Sequence, residues 1–186
     1  MSSHYSSSKR TAVPLVVPLF IAASLLATSI SAQQQQTSAT IATVAEGLGL
    51  TILVSALHAA GGTLLLAATN STSAVTVFAP TDVAFLQAIN DLNTNSSALL
   101  ANKPLLTSIL SFHIVPGLVP STAATREGAT FPTLLSGQTL VFSKKGIFKK
   151  SYEVTGYKTT AKLLMKDVPA GGSLLHVIDR VLIPAP

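Results

Sequence analysis

The chain of 186 residues contains no cysteine. That removes thiol nucleophiles and thiolate metal ligands. It says nothing about compartment, because a domain of about 150 residues holds its core without disulfide bridges. Charge is also scarce, at 10% of residues against 48% hydrophobic. A disordered chain has the opposite balance, so the material suffices for one sizeable core, and the length fits one domain. Titratable groups suited to catalysis are few: seven carboxylates, and His58, His113 and His176 beyond the N-terminal His4. The histidines show no HxH or HxxxH spacing, so no metal site is spelled out. No glycine-rich phosphate loop precedes a lysine, and Gly61-Gly62 lacks that context. Aromatic residues are only 5%, few for a base-stacking surface, and the chain is expected to be exported, so nucleic acid is not an expected partner. No cofactor is expected.

Long apolar runs are missing too, except at the start. Lys9 and Arg10 precede an apolar stretch from Ala12 to about Ala27, closed by Thr28, Ser29, Ser31 and Ala32. This is the order of a secretory signal peptide, with cleavage after Ala32. Ile30 stands where a smaller residue is usual, and Pro14 and Pro18 disfavour a long helix. The alternative is an uncleaved anchor, which wants about 20 apolar residues. Pro184-Ala185-Pro186 brings no polar spacer and hydrophobic tail for a lipid anchor. The expected organisation is a signal peptide over 1–32, a polar spacer over 33–38 containing Gln33 to Gln36, and one domain over 39–184. The protein is expected to be secreted, with no membrane span once the signal is removed.

Within the domain, helical periodicity comes first. Ile41, Val44, Ala45 and Leu48 share a helix face, and a second helix through Ile52, Leu53, Ala56 and Leu57 stops at Gly61-Gly62. Val75–Phe78 is a short β-rich run ended by Pro80. Thr81 or Asp82 then opens a helix by accepting from a free amide of its first turn, with Phe85, Leu86 and Ile89 apolar. Asn93 to Ser97 is loop-like, and Lys103-Pro104 opens another helix. After Phe112 the pattern becomes β, with strands at Phe112–Val115, Thr130–Leu134, Thr139–Ser143, Ile147–Val154, Thr160–Asp167 and Leu174–Ile183. Turn signals separate them. The last is apolar on both faces and so central. Helices first and strands after predict an α+β domain rather than a βαβ parallel sheet.

Three segments resemble the fasciclin domain family. Thr76-Val77-Phe78-Ala79-Pro80-Thr81-Asp82-Val83-Ala84-Phe85 is similar to its first signature box. Leu110-Ser111-Phe112-His113-Ile114-Val115-Pro116-Gly117 is similar to its central tyrosine–histidine motif. Leu174-Leu175-His176-Val177-Ile178-Asp179-Arg180-Val181-Leu182-Ile183-Pro184 is similar to its second box. Order and spacing match over about Thr37 to Pro184. The resemblance implies a fasciclin-type fold, a wedge of two β-sheets with an N-terminal helical cluster. It implies an adhesion or matrix or cell-wall module that binds extracellular glycans or matrix and cell-surface proteins, without catalytic activity. Phe112 replaces the tyrosine frequent in the central motif, so recognition through its hydroxyl is lost. The alternatives are a structural surface protein with no dedicated ligand, or a small secreted hydrolase using Asp179, His176 and a serine.

Phe112 and His113 are therefore binding candidates, although a buried histidine held by a backbone hydrogen bond is the plainer expectation for His113. Thr81, Asp82, His176 and Asp179 are structural candidates. Asp82 fits a cap that ties a loop. His176 and Asp179, three apart in a strand, point to opposite faces. Asn70-Ser71-Thr72 and Asn95-Ser96-Ser97 are N-glycosylation sequons at Asn70 and Asn95. The chain carries 12 basic and 7 acidic residues, a net charge of +5. Ten basic residues remain without Lys9 and Arg10. Seven of these are Lys144, Lys145, Lys149, Lys150, Lys158, Lys162 and Lys166, with only Glu153 among them. The pairs Lys144-Lys145 and Lys149-Lys150 flank Gly146-Ile147-Phe148 as a basic hairpin. It serves either as a solvated edge that resists strand pairing or as a patch for acidic polysaccharide.

Overall fold

The computed structural model describes residues 40–70, 72, 74–91, 95–146 and 150–186. The leader over 1–32, the spacer over 33–38 and Lys149 lie outside the described residues.

Helix α1 (Ile41–Gly47) starts at Thr40. The Thr40 hydroxyl accepts from the Thr43 amide at 3.2 Å, and the Thr43 hydroxyl accepts from the Thr40 amide at 2.9 Å. This reciprocal cap satisfies two otherwise orphaned donors. Helix α2 (Thr51–Ala60) buries Leu53, Val54, Ala56 and Leu57. It stops at Gly61, and both Gly61 (φ 61°) and Gly62 (φ 57°) take the left-handed backbone that other residues avoid. The glycine pair does more than end α2. It turns the chain directly into α3 (Gly62–Thr69), a helix absent from the expectations above.

Strand β1 (Val75–Pro80) leads into α4 (Asp82–Asp91). Two helices follow, α5 (Ser96–Ala101) and α6 (Lys103–Phe112). The stretch expected as a loop through Ser97 is already helical from Ser96, because the Asn95 side chain accepts from the Ala98 amide at 2.7 Å and caps it. The strands are β2 (Ile114–Pro116), β3 (Ala129–Pro132), β4 (Thr139–Lys145), β5 (Ser151–Thr155), β6 (Thr160–Ala170) and β7 (Ser173–Ile178). Phe112 belongs to the end of α6, not to a strand.

The strands run in the order β2-β1-β7-β6-β5-β4-β3. Among the described strands only β1 and β7 pair in parallel, with Phe78 opposite His176. Every other pair is antiparallel. The fold is α+β. Its two expected sheets are halves of one strand order joined through the long strand β6. The last strand lies inside the sheet, as its two apolar faces require. It ends at Ile178 rather than Ile183, because the Asp179 carboxylate takes the Lys162 amide at 2.7 Å as the chain leaves the ladder.

Alternation along β1 and β7 feeds two cores. Val77, Ala79, Leu175 and Val177 pack with the helices, against Leu53, Leu57, Phe85, Leu106 and Ile109. Phe78 and Ile178 face the other way, into a second cluster with Phe112, Leu140, Phe142, Val154 and Leu182. The Leu134 amide donates to the Ile114 carbonyl at 2.8 Å, so the segment after β3 curls back to β2 and closes around this second core.

Candidate functional site

The central motif is interior. Phe112 is fully buried and His113 is 2% exposed. Neither is presented to a partner, which corrects their assignment as binding residues. Gly156 sits so close that a Cβ there would lie 2.7 Å from the Phe112 ring. His113 is wired to the backbone at both nitrogens. Nε2 accepts from the Leu182 amide at 2.9 Å, so Nδ1 carries the proton and donates to the Ile109 carbonyl at 2.7 Å. Burial lowers its pKa from 6.5 to about 4, against the opposing pull of that carbonyl. His113 thus pins the end of α6 to the C-terminal segment as a neutral imidazole.

Two neighbouring residues of the first box, Thr81 and Asp82, divide the capping between them. The Thr81 hydroxyl accepts from the Ala84 amide at 3.2 Å and caps α4. Asp82 instead reaches the start of α2, taking the Ile52 amide at 2.9 Å and the Thr51 hydroxyl at 2.5 Å. His176 is fully buried and stacks on Phe78, with centroids 5.3 Å apart. Its Nδ1 accepts from the Asp167 amide at 3.1 Å, and Nε2 donates to the Val119 carbonyl at 2.8 Å. Burial lowers its pKa. With both nitrogens committed to backbone, His176 cannot serve Asp179, which holds Lys162. The hydrolase triad suggested by the sequence does not assemble.

Asp167, absent from the sequence candidates, has a left-handed backbone (φ 55°). Its carboxylate accepts from the Ser121 amide at 2.6 Å and from the Ser121 hydroxyl. Burial pushes its pKa up, but the Ser121 bonds, His176 and Lys166 together bring it below the usual value. This Ser–Asp–His grouping is wired for structure: the serine donates to the carboxylate, and no imidazole nitrogen is left to activate it.

The lysines form a different arrangement from the expected hairpin patch. In the β4–β5 ladder Lys144 pairs with Tyr152 and Lys145 with Ser151. Successive residues of a strand face opposite ways. Lys144 therefore shares the side of Tyr152, Phe142 and Val154, while Lys145 takes the other. Lys144 and Lys145 thus do not share one surface. Lys166, arriving from β6, joins Lys144 instead. The two ammonium groups stand 4.7 Å (Lys166) and 5.9 Å (Lys144) from the Tyr152 ring centroid. Both are within the cation–π range of about 6 Å. Lys166 also donates to the Ser121 hydroxyl at 3.4 Å.

The strand irregularity that delivers Lys166 also opens a groove. β5 pairs with β6 only from Glu153↔Lys162 to Thr155↔Thr160. Beyond that, β6 shifts register against β7 between Leu163 and Met165 and again between Met165 and Val168. Such bulges bend a strand and re-aim its side chains. Between the parted strands lies a groove of about 370 Å³ lined by Lys150, Ser151, Tyr152, Leu163, Leu164, Met165 and Lys166. None of these is acidic. Leu164 and Met165 are 59% and 45% exposed.

Asn70 and Asn95 are both exposed. The Asn70 side-chain oxygen accepts from the Thr72 amide at 3.0 Å and the Thr72 hydroxyl at 2.7 Å. Each asparagine thus uses its oxygen locally. Among the described residues no group of three or more His, Asp or Glu side chains is arranged to hold a metal. No helix among them is long and apolar enough to cross a membrane.

The molecule is thus an α+β domain with a curled sheet, a capped helical cluster and a parallel β1–β7 pair. The fasciclin domain family model matches residues 48–184, and the chain belongs to that family. Fasciclin domains are in general adhesion-related modules of extracellular or cell-surface proteins. The chain is 35% identical over 132 residues to Protein sll1483 of Synechocystis sp., covering 71% of this chain and 66% of that protein. It is 34% identical over 118 residues to the Immunogenic protein MPB70 of Mycobacterium bovis, covering 59% of this chain and 49% of that one. Among solved structures it resembles a FAS1 domain pair from the insect cell adhesion molecule Fasciclin I. The TM-score is 0.59 at 23% identity, over 72% of this chain and 44% of that one. At that identity the likeness concerns the fold alone.

Proposed function

We propose that this fasciclin domain is a secreted, non-catalytic adhesion or matrix-associated module that binds acidic polysaccharide through the Tyr152 groove. The observation that carries this is the convergence of Lys144 and Lys166 on one tyrosine ring, with Lys150 lining the same acid-free groove. Ammonium groups attract uronate carboxylates and sulfate esters without fixing one geometry. Tyr152, Leu163, Leu164 and Met165 offer an apolar surface to the C–H faces of sugar rings. Removal of the leader after Ala32 and N-glycosylation at Asn70 or Asn95 belong to this extracellular role, and the mass of the exported chain reports both.

The test is binding of the purified chain to acidic and neutral polysaccharides at low and high salt. Binding restricted to acidic polymers and weakened by salt supports the groove. Equal binding to neutral polymers contradicts it. A protein partner with acidic and apolar side chains is the second candidate occupant, favoured by the exposure of Leu164 and Met165.

A further inference from the structure

A second cleft lies at the other end of the β5–β6 hairpin, against α4. Its volume is about 390 Å³ and its polar lining comes from three distant parts of the chain. Gln87 and Asp91 project from α4. Lys158, Thr159 and Thr160 come from the β5–β6 turn, and Arg180 follows β7. Each part is held in place. The Thr81 cap fixes the start of α4. The turn is closed by the Gly156 amide on the Thr159 carbonyl at 2.9 Å and by the Thr155–Thr160 hydroxyl contact at 3.1 Å. Arg180 follows Asp179, whose carboxylate and amide both bind Lys162.

Among the described residues no carboxylate forms an ion pair with Lys158 or Arg180, although Asp91 lines the same cleft. Lys158 rests its ammonium group 5.2 Å from the Tyr157 ring centroid. The cleft therefore presents two positive charges and one negative, together with neutral amide and hydroxyl groups.

We propose that this cleft binds a single sugar-acid residue, a polyhydroxy carboxylate carrying one negative charge. Arg180 offers the planar fork that suits a carboxylate in bidentate fashion, and Lys158 adds a point charge. Asp91 and the Gln87 carbonyl accept hydrogen bonds from ligand hydroxyls. The Gln87 amide and the Thr159 hydroxyl donate to ligand oxygens. Asp91 is the discriminating group: it repels a second negative charge, so a dianion such as sulfate is the poorer ligand. The cleft shares no lining residue with the Tyr152 groove, and the proposal stands whether or not that groove binds polysaccharide.

The test is an NMR titration of the ¹⁵N-labelled chain, following the Arg180 Nε–H and the Gln87 side-chain amide. The probes are D-galacturonate, D-galactose and sulfate. Galacturonate is expected to shift both signals saturably, with a Kd on the order of 1 mM, and galactose is expected to leave them unmoved. Arg180→Lys should weaken galacturonate by about tenfold or more. Asp91→Asn, which keeps an acceptor oxygen and removes the repelling charge, should strengthen sulfate more than galacturonate, which a merely structural role for Asp91 would not do. Tyr152→Ala should leave the titration unchanged. Equal shifts with galactose, wild-type affinity in Arg180→Lys, or tighter binding of sulfate than of galacturonate to the unmodified chain would each overturn the proposal. Loss of the shifts in Tyr152→Ala would do so as well, by assigning the ligand to the groove.

Discussion

Asp82 caps a helix to which it does not belong: its carboxylate accepts the Ile52 amide at 2.9 Å, thirty positions away. The residue before α2 is Leu50, which has no side-chain oxygen to offer, and α2 makes no cap of its own. Asp82 supplies one across the fold while Thr81 beside it caps α4. One dipeptide thereby fixes the starts of two helices and the angle between them.

Asp82→Ala should therefore destabilise the domain by about 1–2 kcal/mol, the cost of an N-cap. Asp82→Asn, which keeps an acceptor oxygen for the Ile52 amide, should cost less. Urea denaturation of the two variants measures the difference, and equal losses would show that the Ile52 bond contributes nothing.

His113 sets an acid limit on stability. Its pKa is about 4 folded and 6.5 unfolded. Between those values the unfolded chain takes up a proton that the folded chain refuses. Stability should fall as pH drops from about 6.5 towards about 4, by on the order of 3 kcal/mol for this group. His176, also lowered by burial, adds in the same direction. His113→Gln should be less stable at neutral pH yet show a shallower slope across this window. An unchanged slope of unfolding free energy against pH would rule His113 out as its source.

Gly156→Ala should destabilise the domain by about 1–3 kcal/mol, the usual cost of overpacking, because the new Cβ would fall 2.7 Å from the Phe112 ring. Adding Phe112→Leu, which withdraws the ring edge, should recover part of the loss. Thermal unfolding of both variants reads this directly, and a neutral Gly156→Ala would contradict the close approach.

Ser121→Ala removes the hydroxyl that helps hold the Asp167 carboxyl below its ordinary value. The Asp167 pKa should rise in the variant, as followed by carboxyl ¹³C shifts against pH. Asp167 stabilises the fold above its unfolded pKa of 3.8 and loses that contribution as pH falls through the lower folded value. The variant should therefore lose its Asp167 contribution at a higher pH than the unmodified chain. A carboxyl that titrates identically in both would show that the hydroxyl is electrostatically idle.

Much of this was legible in the residues because it is local. The Pro80-Thr81-Asp82 break, the Lys103-Pro104 helix start and the two-faced last strand each rest on neighbours in sequence. What was not legible depends on register. Gly61-Gly62 reads as a stop, and only the pair of left-handed backbones shows that a helix resumes at once. The alternation that separates Lys144 from Lys145 needs the β4–β5 pairing, and Lys166 reaches Tyr152 only because β6 slips twice against β7. Tyr152 is one aromatic among basic residues in the sequence and becomes the centre of a site only once that slip is known. The fasciclin resemblance pointed to Phe112 and His113 for binding. Burial turned both into packing and capping residues, since a fully enclosed side chain meets no partner.

The convergence of two lysines on Tyr152 is tested most directly by the salt dependence of binding to polygalacturonate. The comparison is between the unmodified chain and Lys144→Ala/Lys166→Ala, with Lys145→Ala/Lys162→Ala as a control of equal charge. The groove predicts that the first pair weakens binding and flattens its dependence on ionic strength, while the control pair does so much less. Equal losses in the two variants would contradict it, and would leave binding to the total positive charge of the hairpin rather than to a site built around Tyr152.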